Sequence, residues 1–209
     1  MLLHWLVKIA LLAGCLGVSV SAAWSAVLLV KPGESIAAMI QAAQPGDTVQ
    51  VARGFYAEKL MIDKPLTLQG LDRPTISAQG TGHVIRVHSP DVRIEGFILR
   101  DSGVDLGAKN AGVYVEPGSD RVLVRDCALV YNLFGVWLEQ SKDARVIANV
   151  ITGKRDLMSA ARGNGIQVFN MNGVQILDNN ISFTRDGIYV DVSSNALFRG
   201  NKIHHLRYG

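Results

Sequence analysis

Two carboxylates recur at matched positions along the sequence. Glu116 and Glu139 each lie four residues after a glycine, Gly112 and Gly135. On adjacent rungs of a repeated sheet they would approach the separation of roughly 5–9 Å that paired-carboxylate hydrolysis of glycosides needs. One of the two must then be held protonated by burial or by a neighbouring group. An open sheet face gives no reason for that, so the pair fits a solvated face better than a catalytic one.

Aromatic residues follow the same spacing and predict a second outward stripe beside the carboxylates. We expect the first stripe to run from His88 and the second from Arg86. Aromatics beside carboxylates on a flat sheet could bind a saccharide or a protein partner, although β-favouring aromatics on a solvated face are the simplest interpretation. The first stripe holds Glu116, Glu139, Phe169 and Asp191, and the second holds Tyr114, Trp137, Gln167 and Tyr189.

Soft metal ligands are few and scattered. Cu(I) selects thiolate and thioether ligands and also accepts imidazole, but no Cys-x-x-Cys or His-x-His spacing occurs. Cys127 is expected to be a buried structural thiol. Met158 and Met171 are expected to be exposed, and a strand through His204 and His205 would place one side chain inside and one outside. These last four residues are the weak metal candidates.

A repeat of about 22 residues positions all of these groups. Glycines stand at 112, 135, 165, 187 and 209, with steps of 23, 30, 22 and 22, and the step of 30 is a 22 carrying an insertion. Two apolar residues one position apart follow each glycine except the last, and this alternation points them into a core. Short strands at this period predict an all-β chain, a right-handed parallel β-helix. The apolar fraction of 48% with only 7% aromatics suits its Val, Ile and Leu core.

Each unit is predicted to contain a second strand with a corner in it. The predicted second strands are Val124–Leu129, Val146–Ile151, Ile176–Ile181 and Phe198–Ile203. Their corner residues are Cys127, Asn149, Asn179 and Asn201. Asparagines at one corner of successive rungs can form a stacked ladder of amides, so we expect these side chains to point inward and bond to the backbone or to each other.

Two insertions leave the repeat after the corner strand, Asp101–Asn110 and Gly153–Gly163. They should emerge along one edge, and insertions on one side of a solenoid often mark its binding face. In the second insertion a basic rim surrounds an apolar tip, which predicts a partner-docking loop; a tolerated surface loop is the alternative. The rim is Lys154, Arg155 and Arg162, and the tip is Leu157 and Met158.

The N-terminal part differs from the repeat. Residues 1–23 read as a secretory signal peptide with Lys8, an apolar run and a small-residue cleavage site, so export to the periplasm is expected. A lipoprotein attachment box ending at Cys15 is the less favoured alternative. Residues 24–46 contain a helical pattern that ends at Pro45-Gly46-Asp47 and would cover the first rung, and residues 47–209 form the β-helix. The net charge of +3 is too small to indicate a nucleic-acid partner.

Two family resemblances follow from these motifs. The helical pattern between Pro32-Gly33 and Pro45-Gly46-Asp47, followed by Gly54-Phe55-Tyr56, resembles the start of the pectate-lyase-like β-helix superfamily, which contains enzymes and non-enzymes. The rungs that end in Arg207-Tyr208-Gly209 look more narrowly like the NosD family. Members of that family are considerably longer, and this chain stops as a rung begins, so we interpret it as an N-terminal fragment.

The NosD resemblance implies a periplasmic accessory protein without catalytic activity. It would help to assemble the copper centre of nitrous oxide reductase, with the reductase, its copper chaperone or the membrane subunit of an ABC transporter as partner, and it would bind copper only transiently. The alternatives are a polysaccharide-active enzyme (lyase, epimerase or glycoside hydrolase) and a passive surface solenoid. The Asp-Pro-His-Glu run expected of an epimerase of this fold does not occur.

Overall fold

The computed structural model describes residues 25–207, and short parallel strands provide nearly all of the regular structure there. The predicted signal peptide, the possible attachment box at Cys15 and the closing Tyr208-Gly209 lie outside the described residues. In chain order the first elements are β1 (Val27–Val30), α1 (Ile36–Ala42), β2 (Thr48–Val51), β3 (Phe55–Tyr56), β4 (Leu60–Ile62), β5 (Thr67–Gly70), β6 (Thr75–Ser77), β7 (Ile85–Val87), β8 (Arg93–Glu95) and β9 (Ile98–Arg100). The repeat region continues with β10 (Ala111–Val115), β11 (Leu123–Arg125), β12 (Ala128–Asn132), β13 (Phe134–Glu139), β14 (Arg145–Ile147), β15 (Val150–Gly153), β16 (Ile166–Phe169), β17 (Gln175–Leu177), β18 (Asn180–Ser182), β19 (Ile188–Asp191), β20 (Leu197–Arg199) and β21 (Lys202–His204).

These strands build three parallel sheets that wrap around one core. The first sheet has the order β1-β2-β5-β8-β11-β14-β17-β20, the second β4-β7-β10-β13-β16-β19, and the third β3-β6-β9-β12-β15-β18-β21. From β4 onward each turn of the chain contributes one strand to the second, first and third sheets in succession. Every strand therefore pairs with its equivalent one rung away, at the strand spacing of roughly 4.8 Å. The predicted parallel β-helix is confirmed.

The predicted second strands are wrong in one respect, because each consists of two strands. The residue just before each corner has a left-handed backbone conformation, which turns the chain from the first sheet into the third. Gly, Asp and Asn tolerate this conformation best, so Ala148 was not recognisable as a turn residue. The same break divides the span Val92–Leu99. The turning residues are Gly96 (φ 81°), Asp126 (φ 50°), Ala148 (φ 55°), Asp178 (φ 56°) and Gly200 (φ 68°).

Glycines at the start of the second-sheet strands allow successive rungs to stack closely. A Cβ atom on Gly112 would lie 2.8 Å from the carbonyl oxygen of Gly135, and one on Gly165 would lie 2.6 Å from that of Gly187. Real Cβ atoms do not approach backbone oxygens so closely, so a side chain would push the rungs apart. The recurrent glycine is thus a packing requirement of the repeat.

Helix α1 covers the first turns of the β-helix. Its N-cap Ser35 accepts a hydrogen bond from the backbone N–H of Ala38 at 3.1 Å, and Glu58 accepts from the N–H groups of Ile36 and Ala37 at 3.0 and 3.1 Å. These bonds satisfy backbone donors that the helix itself cannot pair. The helix contacts β1, β2 and β4 and buries Ile36 and Ile40 in the core.

Candidate functional site

The second sheet aligns the two stripes that the repeat predicts. Arg86 pairs in register with Tyr114, Tyr114 with Trp137, Trp137 with Gln167, and Gln167 with Tyr189. Met61 lies beside Arg86 in the same stripe and is 45% exposed, so its side chain faces solvent. In the carboxylate stripe Glu139, Phe169 and Asp191 are also in register.

Both glutamates of the carboxylate stripe are buried and bound to cations, so the expectation of a solvated carboxylate face is wrong. Glu116 is 7% exposed and binds the guanidinium of Arg86 and the imidazole of His88. Glu139 is 9% exposed and accepts hydrogen bonds from Lys109 Nζ at 2.7 Å, Tyr114 Oη at 2.9 Å and Trp137 Nε1 at 3.0 Å. Neighbouring side chains thus cover both carboxylates.

The surroundings of Glu139 keep it ionised. Burial by itself would raise the pKa of this carboxyl, but the bonds from Lys109, Tyr114 and Trp137 outweigh burial and leave the pKa below its usual value. A general acid needs a raised pKa instead, so Glu139 is unsuited to that role. Sequence reasoning missed Lys109, which lies near the end of the first insertion, just before the strand β10 that pairs with the strand of Glu139.

The insertion Gly153–Gly163 is fastened to the edge of the β-helix by its cations, so the predicted solvated basic rim is wrong for Lys154. This residue is only 5% exposed, and its Nζ lies 4.7 Å from the ring centre of Tyr131. The guanidinium of Arg155 lies 3.9 Å from the ring centre of Phe183. Tyr131 and Phe183 occupy equivalent corners of the rungs on either side of Gly153. A cation held over an aromatic ring is attracted to its face, so these two contacts hold the start of the loop on both neighbouring rungs.

Burial also changes the charge balance at Lys154. It lowers the pKa of this ammonium, and the carboxylates of Asp101 and Asp156 partly offset the effect. Asp156 is itself hydrogen-bonded to the hydroxyl of Tyr131. At the beginning of the insertion, Lys154 and Asp156 are therefore both held at the side chain of Tyr131.

The rest of the insertion divides into an internal brace and an exposed tip. Arg162 donates hydrogen bonds to the carbonyl oxygens of Leu157 and Arg155, both at 2.9 Å. Leu157 packs against a small apolar cluster formed by Ala111, Leu133 and Phe134, so it is not part of a free tip. Met158 is 80% exposed and is followed by a short 3₁₀ turn, Ser159–Ala161. The expectation of an apolar tip therefore holds for Met158 alone.

The other insertion also presents apolar side chains to solvent. Val104 is 60% exposed and Leu106 is 41% exposed. The insertions follow β9 and β15, which are separated in the third sheet by β12 alone, so they leave the same edge two rungs apart. We call the exposed side chains Val104, Leu106 and Met158 the loop edge.

The corner residues form the stacked amide ladder. Asn149 Oδ1 accepts from the backbone N–H of Cys127 at 2.9 Å, and Asn149 Nδ2 donates to Asn179 Oδ1 at 3.0 Å. Asn179 Nδ2 donates to Asn201 Oδ1 at 2.9 Å. Cys127 ends the row as a fully buried thiol, and burial raises its pKa to about 12. A thiol with so high a pKa is almost entirely protonated at neutral pH and has little nucleophilic or metal-binding character.

The comparison with known families agrees with this architecture. A family model described as the right-handed β-helix region matches residues 77–209. The chain belongs to the right-handed β-helix family. A solved member of this fold class, pectin methylesterase from Yersinia enterocolitica, superposes with a TM-score of 0.50 over 79% of this chain and 65% of its own, at 16% identity. At that identity the likeness concerns the fold alone.

Two curated relatives of this β-helix protein share more of its sequence. Each is named "Probable ABC transporter binding protein NosD". The protein from Stutzerimonas stutzeri is 35% identical over 134 residues, which are 64% of this chain and 31% of the relative. The protein from Pseudomonas aeruginosa is 33% identical over 137 residues, which are 66% of this chain and 32% of the relative. The matched region thus spans about a third of the length of these relatives, and the chain is NosD-like over that region.

Of the four weak metal candidates, all among the described residues, only the chain neighbours His204 and His205 contact each other. Met171 is only 2% exposed and its Sδ accepts from the hydroxyl of Ser141 at 3.3 Å, so the expectation of an exposed thioether is wrong. His204 and His205 both lie outside the core, with their Nδ1 atoms 2.6 Å apart, because His205 adopts the left-handed conformation at a corner. Met158 lies alone on its loop.

Within residues 25–207 no group of three or more His, Cys, Asp or Glu side chains is arranged to hold a metal ion. In the same part of the chain no helix has the length and apolar character needed to cross a bilayer.

Proposed function

We propose that this chain is part of an exported, non-catalytic docking protein of the NosD type, which works with an ABC transporter in the assembly of the copper centre of nitrous oxide reductase. The observation that carries the proposal is the similarity to two NosD proteins, over 64% and 66% of this chain. Copper is the cargo of that assembly, and we assign no residue of this chain to it. We place the chain in the periplasm, with the transporter's membrane subunit, the reductase or its copper chaperone as partner.

The state of the carboxylates supports a role without catalysis. Hydrolysis of a glycosidic bond by a carboxylate pair requires one protonated partner and one free partner. Glu116 binds Arg86 and His88. Glu139 accepts hydrogen bonds from Lys109, Tyr114 and Trp137. These interactions cover the oxygens of both residues, and those at Glu139 also keep its pKa below the usual value. On the outward face of the second sheet these two glutamates therefore stabilise the structure and are not free to act as a catalytic pair.

We place the docking surface at the loop edge. Exposed apolar side chains on ordered loops are suited to binding because little conformational freedom is lost when a partner contacts them. The two cation–ring contacts and the Arg162 brace order the second insertion before any partner arrives. Met158 is the most exposed large apolar residue of the edge and is the residue we expect to matter most.

The test is the substitution Met158→Glu. Excision of residues 156–161 would also remove Leu157 from its apolar cluster, so a point substitution at the exposed tip is cleaner. The membrane subunit of the ABC transporter and the reductase are immobilised separately, and binding of the parent chain and of each variant to them is measured. A charge in an apolar contact should weaken binding by about tenfold to a hundredfold, the scale of one hot-spot residue.

Phe55→Glu is the matched control. Phe55 is 65% exposed and lies on β3, the first strand of the third sheet, four strands away from β15, which precedes the insertion with Met158. Its substitution adds the same charge and should leave binding unchanged. Circular dichroism confirms that both variants keep the parent fold. If Met158→Glu binds both partners as tightly as Phe55→Glu does, the loop edge is not the docking surface.

A further inference from the structure

A small pocket of about 250 Å³ opens on the second sheet beside the first insertion. It is lined by Lys59, Leu60, Met61, Gly82, His83 and Arg86. The residues come from two successive rungs, because β4 and β7 pair in register. Two of the lining residues are cationic, and no carboxylate lines the pocket. The pocket is therefore lined by two cations, and the buried Glu116, just after the neighbouring strand β10, is already bound by Arg86 and His88.

The hydrogen bonds of His83 determine which of its ring atoms is a donor. The backbone N–H of Ala111 donates to His83 Nδ1 at 3.2 Å, so in the neutral ring the proton resides on Nε2. The ring stacks on Tyr114, with the ring centres 4.6 Å apart and an angle of 12° between the planes. Burial and the nearby Arg86 lower the pKa of His83, which keeps the ring neutral at neutral pH. His83 is thus a fixed neutral N–H donor.

The two cations retain unused donors. Arg86 uses Nε to bind Glu116, while its two terminal nitrogens have no hydrogen-bond partner among the described residues. Lys59 Nζ donates to the hydroxyl of Thr81 at 3.3 Å, which leaves two of its three N–H groups available. A guanidinium, an ammonium and a neutral N–H around one depression are the groups with which proteins bind phosphate oxygens. Leu60 and Met61 add an apolar wall.

We propose that this pocket binds the phosphate group of a small phosphorylated ligand. A carboxylate offers two oxygens, whereas a phosphate group has enough oxygens to use the guanidinium, the ammonium and the neutral N–H together. The apolar wall would contact the organic part of the ligand. This site is independent of the proposed docking at the loop edge, because none of its lining residues belongs to that edge.

The probe is inorganic phosphate, titrated against the 209-residue chain by isothermal calorimetry at constant ionic strength. We expect saturable binding that is stronger than the binding of acetate under the same conditions. Lys59→Met should weaken it by at least about tenfold, the loss expected for a charged hydrogen bond. His83→Asn should also weaken it, because asparagine can keep the acceptor for the Ala111 N–H but loses the Nε2–H donor.

Lys202→Met is the matched control and should bind phosphate as the parent does. Lys202 is an exposed lysine on β21, in the last rung of the described chain. Arg86 is left unchanged in these experiments because its loss would leave the buried carboxylate of Glu116 without its guanidinium partner. The proposal is overturned if binding is not saturable, if the two lysine variants behave alike, or if acetate binds as tightly as phosphate.

Discussion

Replacement of Asn179 by alanine measures what the amide ladder contributes to stability. Asn179 is 1% exposed. Its Oδ1 accepts from the backbone N–H and from Nδ2 of Asn149, both at 3.0 Å, and its Nδ2 donates to the carbonyl oxygen of Val146 at 2.9 Å. Nδ2 also donates to Asn201 Oδ1 at 2.9 Å, so alanine removes four bonds. The backbone N–H of Asn149 then has no partner in a buried position.

The expected loss follows from these contacts. A buried N–H without a partner costs about 1–3 kcal/mol, and each of the three further hydrogen bonds contributes about 0.5–1.5 kcal/mol. The free energy of unfolding should therefore fall by about 2.5–7.5 kcal/mol. An asparagine whose only role was to tolerate a corner conformation would lose much less. The magnitude therefore distinguishes the ladder from a simple turn preference.

The assay is urea denaturation of the chain, followed by circular dichroism. Asn180→Ala is the control, because Asn180 is the next residue and is exposed, and within residues 25–207 its side chain hydrogen-bonds only to His204. Its loss should change the free energy of unfolding by less than about 0.5 kcal/mol. A similar denaturant dependence in all three proteins would show that the same surface unfolds in each. Equal losses in the two variants would refute the reasoning.

Two further predictions concern the carboxylates. Glu139 has a lowered pKa in the folded chain, so its stabilising contribution is fully present above the ordinary value of 4.5 and is lost as the pH falls through the lowered pKa. Glu139→Gln should therefore lower the melting temperature at pH 7, and the difference from the parent should shrink below about pH 4.5; a difference that is constant with pH would contradict this. We also expect the chain not to cleave or isomerise uronic-acid polymers, because cations occupy both carboxylates. Turnover that disappears in Glu116→Gln would show that this expectation is wrong.

The amino-acid sequence specifies the repeat because a solenoid converts sequence separation directly into spatial position. A residue meets its equivalent one rung later, 22 residues on, or 30 where an insertion intervenes. The inward positions, the glycine column and the stack of Asn149, Asn179 and Asn201 follow from that arithmetic. The outward stripes follow in the same way, since Tyr114 and Trp137 pair in register.

The sequence was less informative about corners and insertions. The left-handed conformation at Ala148 carries no compositional signal, and two strands were consequently predicted as one. The edge strands β1 and β3 lie outside the regular repeat and were not predicted. In these places contacts with neighbouring rungs determine the backbone conformation, and the conformational preferences of the individual residues are too weak to predict it.

By itself, then, the sequence determined the β-helix, its core and the row of corner amides, because these depend on spacing alone. The tertiary structure decided the charge state and exposure of the side chains around it. Lys154 is buried against Tyr131, Met171 bonds to Ser141, and Lys109 reaches back from an insertion to Glu139. A repeat period fixes where a Cα atom lies, but whether a side chain meets water, a ring or an opposite charge depends on how the insertions fold against the rungs.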